Sequence, residues 1–127
     1  MQPDTEGIAA FLGGFVAAEG CFTGSGDRHF RFSVGLGAED RAMCTVLLIV
    51  LDVGGVSTSR RRRAHYDDEV QFWVQSIRDL VEVVVPFMDA HLPESHKRRQ
   101  YLEWRARLLD HWEHRARRGR TSPRRAP

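Results

Sequence analysis

Two stretches of this chain alternate apolar and polar side chains one by one, and that pattern confines what it can fold into. In residues 29–36, Phe30, Phe32, Val34 and Leu36 alternate with His29, Arg31, Ser33 and Gly35; in residues 70–76, Val70, Phe72 and Val74 alternate with Gln71, Trp73 and Gln75. A period of two sends successive side chains to opposite faces of a strand, so each stretch has one face for a core and one left polar. Each is followed by helical periodicity. Residues 40–52 are apolar at helical spacing and closed by Gly54-Gly55, while Ser76, with Asp79 three residues on, caps a helix over residues 77–91 that Pro86 is expected to kink.

The remaining elements fall around these. Ile8, Phe11, Leu12, Phe15 and Val16 recur at helical spacing in residues 5–18, with Gly20 just past the end. Residues 21–23, joined to the first alternating stretch by Gly24-Ser25-Gly26-Asp27, make the partner strand of a hairpin. Residues 56–63 do the same for the second through a turn at 64–68, so the body reads α-ββα-ββα. After the Leu92-Pro93 break, Ser95 caps a last helix through Tyr101, Leu102, Trp104, Leu108, Leu109 and Trp112, which is expected to end near Gly119. Phe11, Phe15, Trp104 and Trp112 are expected in the core. Residues 1–118 are read as one domain and 119–127 as a basic, disordered tail.

At 127 residues the chain has the size of a single domain, and no apolar run approaches the roughly 20 residues a membrane span requires. No basic region precedes the first apolar stretch, which argues against a secretory signal and for a cytoplasmic protein. Net charge is only +2, but all six arginines of residues 114–127 stand without an acid, leaving the preceding residues acidic. Arg60, Arg61, Arg62 and Arg63 form a second basic cluster. Arginine outnumbers lysine 18 to 1, a bias that fits a GC-rich bacterial or phage source. Cys21 and Cys44 form no metal-binding pair and are expected as reduced thiols, and the histidines lack the companions of a zinc set.

The first helix ends in Leu12-Gly13-Gly14-Phe15-Val16-Ala17-Ala18-Glu19-Gly20. Gly13 with Ala17, and Gly14 with Ala18, sit four apart, where small side chains let a second helix approach closely. Glu19 puts an anion where the helix dipole is already negative, an arrangement that makes sense beside a cation. Two copies of this helix packed about a twofold axis would bring two such carboxylates together, oxygen ligands of the kind a hard divalent cation binds.

This segment resembles the motif of the LAGLIDADG homing endonucleases, and Cys21-Phe22 continues it. Residues 70–76, the following helix ending Val85-Pro86-Phe87-Met88-Asp89, and Ser95-His96-Lys97-Arg98-Arg99 before Tyr101-Leu102-Glu103-Trp104 are similar to the family's later blocks in order and spacing. Ala17 departs from the family, which often has an acid there, and Glu19 stands where Asp is commoner. The resemblance implies an α+β αββαββα fold: a four-stranded antiparallel, saddle-shaped sheet with helices on one face and a closing helix. It further implies a homodimer with a single motif per chain, cutting both strands of a long pseudo-palindromic DNA site with Mg²⁺ or Mn²⁺.

The site residues follow from that resemblance together with strand geometry. Glu19 and Gly20 are assigned to the metal, and Glu19 and Lys97 to catalysis, Lys97 being equally compatible with a solvated first-turn lysine. Gly13, Gly14, Ala17 and Ala18 are assigned to the dimer interface. Arg31, Ser33, Gln71, Trp73 and Gln75 suit base contacts or a solvated sheet face, since Arg matches guanine and Gln matches adenine in the major groove. Arg28, Arg41 and Arg60 to Arg63 are assigned to DNA, and the tail arginines to flanking phosphate or to no target. Two rival functions share the fold: a non-cleaving DNA-binding regulator, which would not need Glu19, and an intron-encoded maturase acting on intron RNA.

Overall fold

The two alternating stretches become neighbouring central strands of one sheet, with helices packed on its apolar face. The computed structural model describes residues 5–26, 28–59 and 68–121. Helix α1 (Thr5–Glu19) passes without a loop into β1 (Gly20–Ser25), which pairs with β2 (His29–Gly37). A 3₁₀ turn (Ala38–Asp40) leads into α2 (Arg41–Leu51), then β3 (Gly55–Ser59) and β4 (Glu69–Val74). Next come α3 (Ile77–Asp79), a π turn (Leu80–Val84) and α4 (Val85–His91), successive stretches of one helical rod, and finally α5 (His96–Thr121). Every pairing is antiparallel in the order β1-β2-β4-β3, so the expected αββαββα arrangement is the one observed.

The turn joining β1 to β2 is tight, and Gly26 takes a positive φ of 58° within it. At the end of α2, Asp52 adopts a left-handed φ of 56° and Gly54 one of 84°. A Cβ on Gly54 would lie 2.2 Å from the Trp73 carbonyl oxygen, so β3 can approach β4 here only with glycine. Of the expected third strand, residues 60–63 lie outside the described residues, as does the turn to residue 67.

Phe30, Phe32 and Val34 of β2 and Val70, Phe72 and Val74 of β4 all point into the core, where they meet Leu12, Val16, Leu47, Leu80, Met88 and Trp104. Fully burying side chains of this size contributes about 1.5–3 kcal/mol each. The polar atoms that enter with them are satisfied. The Tyr101 hydroxyl donates to Asp89 Oδ1 at 2.6 Å and lies 3.1 Å from the Val85 carbonyl, and Arg105 Nε pairs with Asp89. The Trp104 indole N–H donates to the Thr23 carbonyl at 2.9 Å, tying α5 to the edge strand β1.

Helix ends follow the sequence closely. Ser76 Oγ accepts from the Asp79 amide at 3.3 Å and Ser95 Oγ from the Arg98 amide at 3.1 Å, both as expected. Arg98 also donates to the carbonyls of Leu92 and Met88 at the end of α4, the latter already accepting the Leu92 amide. The perturbation expected at Pro86 takes the form of the π turn directly before it. There the Val85 amide reaches back five residues to Leu80, because proline has no N–H for the ordinary helical bond and its ring crowds the preceding turn.

Three expectations are corrected. Trp112 is half-buried on α5 but outside the core, with the Arg115 guanidinium carbon 5.9 Å from its ring centre. Phe11 is 59% exposed rather than core, because the buried arc of α1 is centred on Leu12 and Val16, with Phe11 turned away beside Gly14. The closing helix runs to Thr121, two residues past the expected end near Gly119, so residues 119–121 are helical rather than tail. Earlier in its last turns Arg117 is paired with Glu113 in an i,i+4 contact. Among the described residues, no helix is long and apolar enough to cross a membrane.

Candidate nucleic-acid interface and acidic centre

The face of the sheet away from the helices is lined by the polar half of each alternation. Its register places Cys21, Thr23 and Ser25 of β1 beside Ser33, Arg31 and His29 of β2. On the other side Ser33 faces Trp73 and Gly35 faces Gln71, and beyond them Gly55 and Ser57 of β3 complete the rows. Five of these residues, Cys21, Thr23, Ser25, His29 and Ser57, are exposed and were not singled out from sequence. Extending the alternation of β2 onto its neighbours through the hairpin register is the signal that finds them.

Of the predicted base-contacting residues, Arg31, Gln71 and Trp73 are brought together. Arg31 Nη2 donates to Gln71 Oε1 at 2.6 Å, and its guanidinium carbon lies 5.8 Å from the centre of the Trp73 ring. Ser33 lies between Arg31 and Gln71 in the register and is only 7% exposed, so its assignment to DNA contact is corrected: it is a buried floor beneath the bridge. Arg28, Arg31 and Gln75 share a depression of about 460 Å³ with Thr23, Ser25 and His29. Arg28 also lines a second depression, of about 400 Å³, with Arg107, Asp110, His111, His114 and Arg118 of α5. Arg41 does not join this face. It is exposed at the start of α2 and donates to Thr58 Oγ1 at 2.6 Å, on the helical side of β3. Arg60 to Arg63 lie outside the described residues.

The motif segment divides into two faces. A Cβ on Gly13 would lie 2.0 Å from the carbonyl oxygen of His91, so Gly13 serves the packing of α1 against the end of α4. Its assignment to a dimer interface is therefore corrected. Ala17 is half-buried against the core. Gly14 is exposed with nothing within 4 Å of the position its Cβ would take, and Ala18 and Phe11 are exposed too. Phe11, Gly14 and Ala18, spaced three and four apart, form one exposed stripe along α1.

Glu19, the last residue of α1, is exposed, and Gly20 is buried where β1 begins opposite Val34. A Cβ on Gly20 would stand 2.6 Å from Val16 Cγ1, so glycine is what lets the chain turn from helix to strand in one step. Lys97 is half-buried in the first turn of α5. Among the described residues no group of three or more His, Cys, Asp or Glu side chains is gathered into a metal cage. Elsewhere, Cys44 is buried, and burial pushes its thiol pKa up, while Cys21 is an exposed free thiol.

This two-layer arrangement is the fold of solved homing endonucleases. The structure of I-AabMI bound to uncleaved DNA superposes with a TM-score of 0.67 at 24% identity, over 87% of this chain and 40% of that one. That of I-LtrWI bound to target DNA gives 0.63 at 18%, over 77% and 35%. That of I-SmaMI bound to cleaved DNA gives 0.65 at 18%, over 80% and 35%. The chain thus spans 35–40% of the length of these three proteins. The sequence model of the LAGLIDADG endonucleases matches residues 12–108, and the chain belongs to that family. No curated protein matches the chain.

Proposed function

We propose that this chain is a site-specific DNA endonuclease that depends on a divalent metal and acts as a homodimer through α1. The observation that carries the proposal is Glu19, an exposed carboxylate at the end of the helix whose free stripe is Phe11, Gly14 and Ala18. A carboxylate there opposes the helix dipole by about 0.3–1 kcal/mol, an expense that a bound cation would offset. One carboxylate per protomer does not suit zinc, which takes three or four protein ligands. It does suit Mg²⁺ or Mn²⁺, which keeps several waters and is held by one or two carboxylates plus substrate phosphate.

The metal's contribution would be to activate water and to stabilise charge on the scissile phosphate. The chain's own residues divide the rest. Glu19 from each copy holds the ion, and Lys97 offers positive charge to the phosphate undergoing attack. The open sheet face, through Arg31, Gln71, Trp73 and Gln75, reads base edges in the major groove, with Arg28 on backbone phosphate. A twofold protein calls for a pseudo-palindromic target.

The test is selection of cleaved sites from a randomised duplex library with Mg²⁺, for the wild type and Glu19→Gln. The wild type should recover a twofold-symmetric site, and Glu19→Gln should bind that site with little change but not cut it. Cutting by Glu19→Gln at the wild-type rate would remove Glu19 from the metal site. Binding by the wild type without cutting would instead identify a DNA-binding regulator.

A further inference from the structure

From the bridge on the open sheet face, we infer that Arg31, held in place by Gln71, selects guanine at one base pair, and that Gln71 is a positioning residue for Arg31 rather than a reader of adenine. The inference rests on the proposal that this face meets DNA, and it departs from treating the two side chains as independent readers. Arginine has five N–H donors and no acceptor, so the amide oxygen of Gln71 must be the atom that faces it. The 2.6 Å contact is short for N–H···O, as expected when the donor is charged.

That contact changes what Gln71 offers. A glutamine reads adenine by accepting from N6 with its oxygen while donating to N7 with its nitrogen. Here the oxygen is engaged by a guanidinium, and an adenine amino group brought to it would place its positive hydrogens against a cation. Guanine presents two acceptors, N7 and O6, to the major groove, and Arg31 still has unused donors for both.

The bridge also orders Arg31. Strand register alone puts position 31 opposite position 75, because Phe32 faces Val74. To reach Gln71 the arginine lies along the sheet, over Ser33 and past the Trp73 ring, which accounts for the burial of Ser33. Trp73 is itself pressed against β3: a Cβ on Gly55 would lie 2.8 Å from its Cζ2. A long side chain anchored at its tip and laid on an indole has surrendered its rotamer freedom before a ligand arrives.

The experiment is selection of bound duplexes from a randomised library, comparing base-preference profiles of the full chain with Arg31→Ala, Gln71→Met, Gln71→Glu and Arg31→Ala/Gln71→Met. The expected wild-type profile has one position per half-site at which guanine is favoured over adenine by about tenfold or more. Arg31→Ala should erase that preference, and Gln71→Met should reduce it at the same position by about threefold or more. The double variant should match Arg31→Ala, because the glutamine acts through the arginine. Gln71→Glu keeps an acceptor for Arg31 and should retain the guanine preference while lowering overall affinity, an outcome that a purely structural role for Gln71 would not produce. Changes at two different positions, or an adenine preference lost with Gln71, would overturn the positioning role while leaving the DNA-reading face intact. Profiles unaltered by every variant would overturn both.

Discussion

Adjacent glycines in α1 should respond oppositely to the same methyl group. At Gly13 the added Cβ would sit 2.0 Å from the oxygen and 2.6 Å from the carbon of the His91 carbonyl, and a backbone group cannot rotate aside. Overpacking of this kind costs about 3 kcal/mol at the upper end of the usual range. The better helix propensity of alanine returns about 1 kcal/mol, leaving Gly13→Ala destabilised by about 2 kcal/mol. At Gly14 no atom lies within 4 Å, so Gly14→Ala keeps the propensity gain and should stabilise the isolated protomer by about 0.5–1 kcal/mol. Urea unfolding at low protein concentration measures both. With a slope near 2 kcal/mol per M, the midpoint should fall by about 1 M for Gly13→Ala and rise by up to about 0.5 M for Gly14→Ala. At high concentration the Gly14→Ala advantage should shrink or reverse, because a methyl on the free stripe holds a second α1 away, and sedimentation should show weaker association. Equal midpoints for the two variants, or a Gly13→Ala protein as stable as the wild type, would refute the assignment of one glycine to the protomer and the other to its partner.

The remaining predictions concern the acidic centre and the core. Glu19→Gln should lose cleavage while the fold gains stability by about 0.3–1 kcal/mol, since an anion leaves the negative end of α1; thermal unfolding without metal reads the second effect. The Tyr101 hydroxyl is held protonated well above its ordinary 10.0, first by burial and then by Asp89. The folded state therefore retains a proton that the unfolded chain loses above about pH 10, and stability present below that pH should fall as pH rises, by up to about 1.4 kcal/mol per unit. In Tyr101→Phe that component should be absent, with a loss of about 1–2 kcal/mol near neutrality; a wild-type slope unchanged in the variant would count against it. Ser95→Ala removes the oxygen that accepts from the Arg98 amide and should cost about 1 kcal/mol in denaturant unfolding.

What sequence could convey here is periodicity, and what it could not is rotation about an axis or reach across strands. The alternations at Phe30 to Leu36 and Val70 to Val74 place every inward side chain correctly, because a strand has only two faces. The caps at Ser76 and Ser95 were equally legible, being local hydrogen bonds. On α1, by contrast, Gly13 and Gly14 are about 100° apart on the helix, and only the placement of His91 on one side determines which of them is internal. Phe11 was misplaced for the same reason. The contact between Arg31 and Gln71 joins residues 40 apart in the chain. It depends on the β2–β4 register, which no single stretch of sequence states, and so Ser33 looked available when it is covered.

The bond from the Trp104 indole to the Thr23 carbonyl has a consequence at the margin of the sheet. β1 is an edge strand, and an edge strand offers unpaired backbone groups on which a stray extended segment can build. A buried ring of the closing helix bonded to the Thr23 carbonyl pins that strand to the body of the protein, so β1 is held in place from the helical layer as well as by its one strand neighbour. A rim that cannot peel away is less exposed to pairing with a stray segment, and Trp104→Phe, which retains the bulk of the ring without its donor, should loosen that anchor and speed amide exchange along β1.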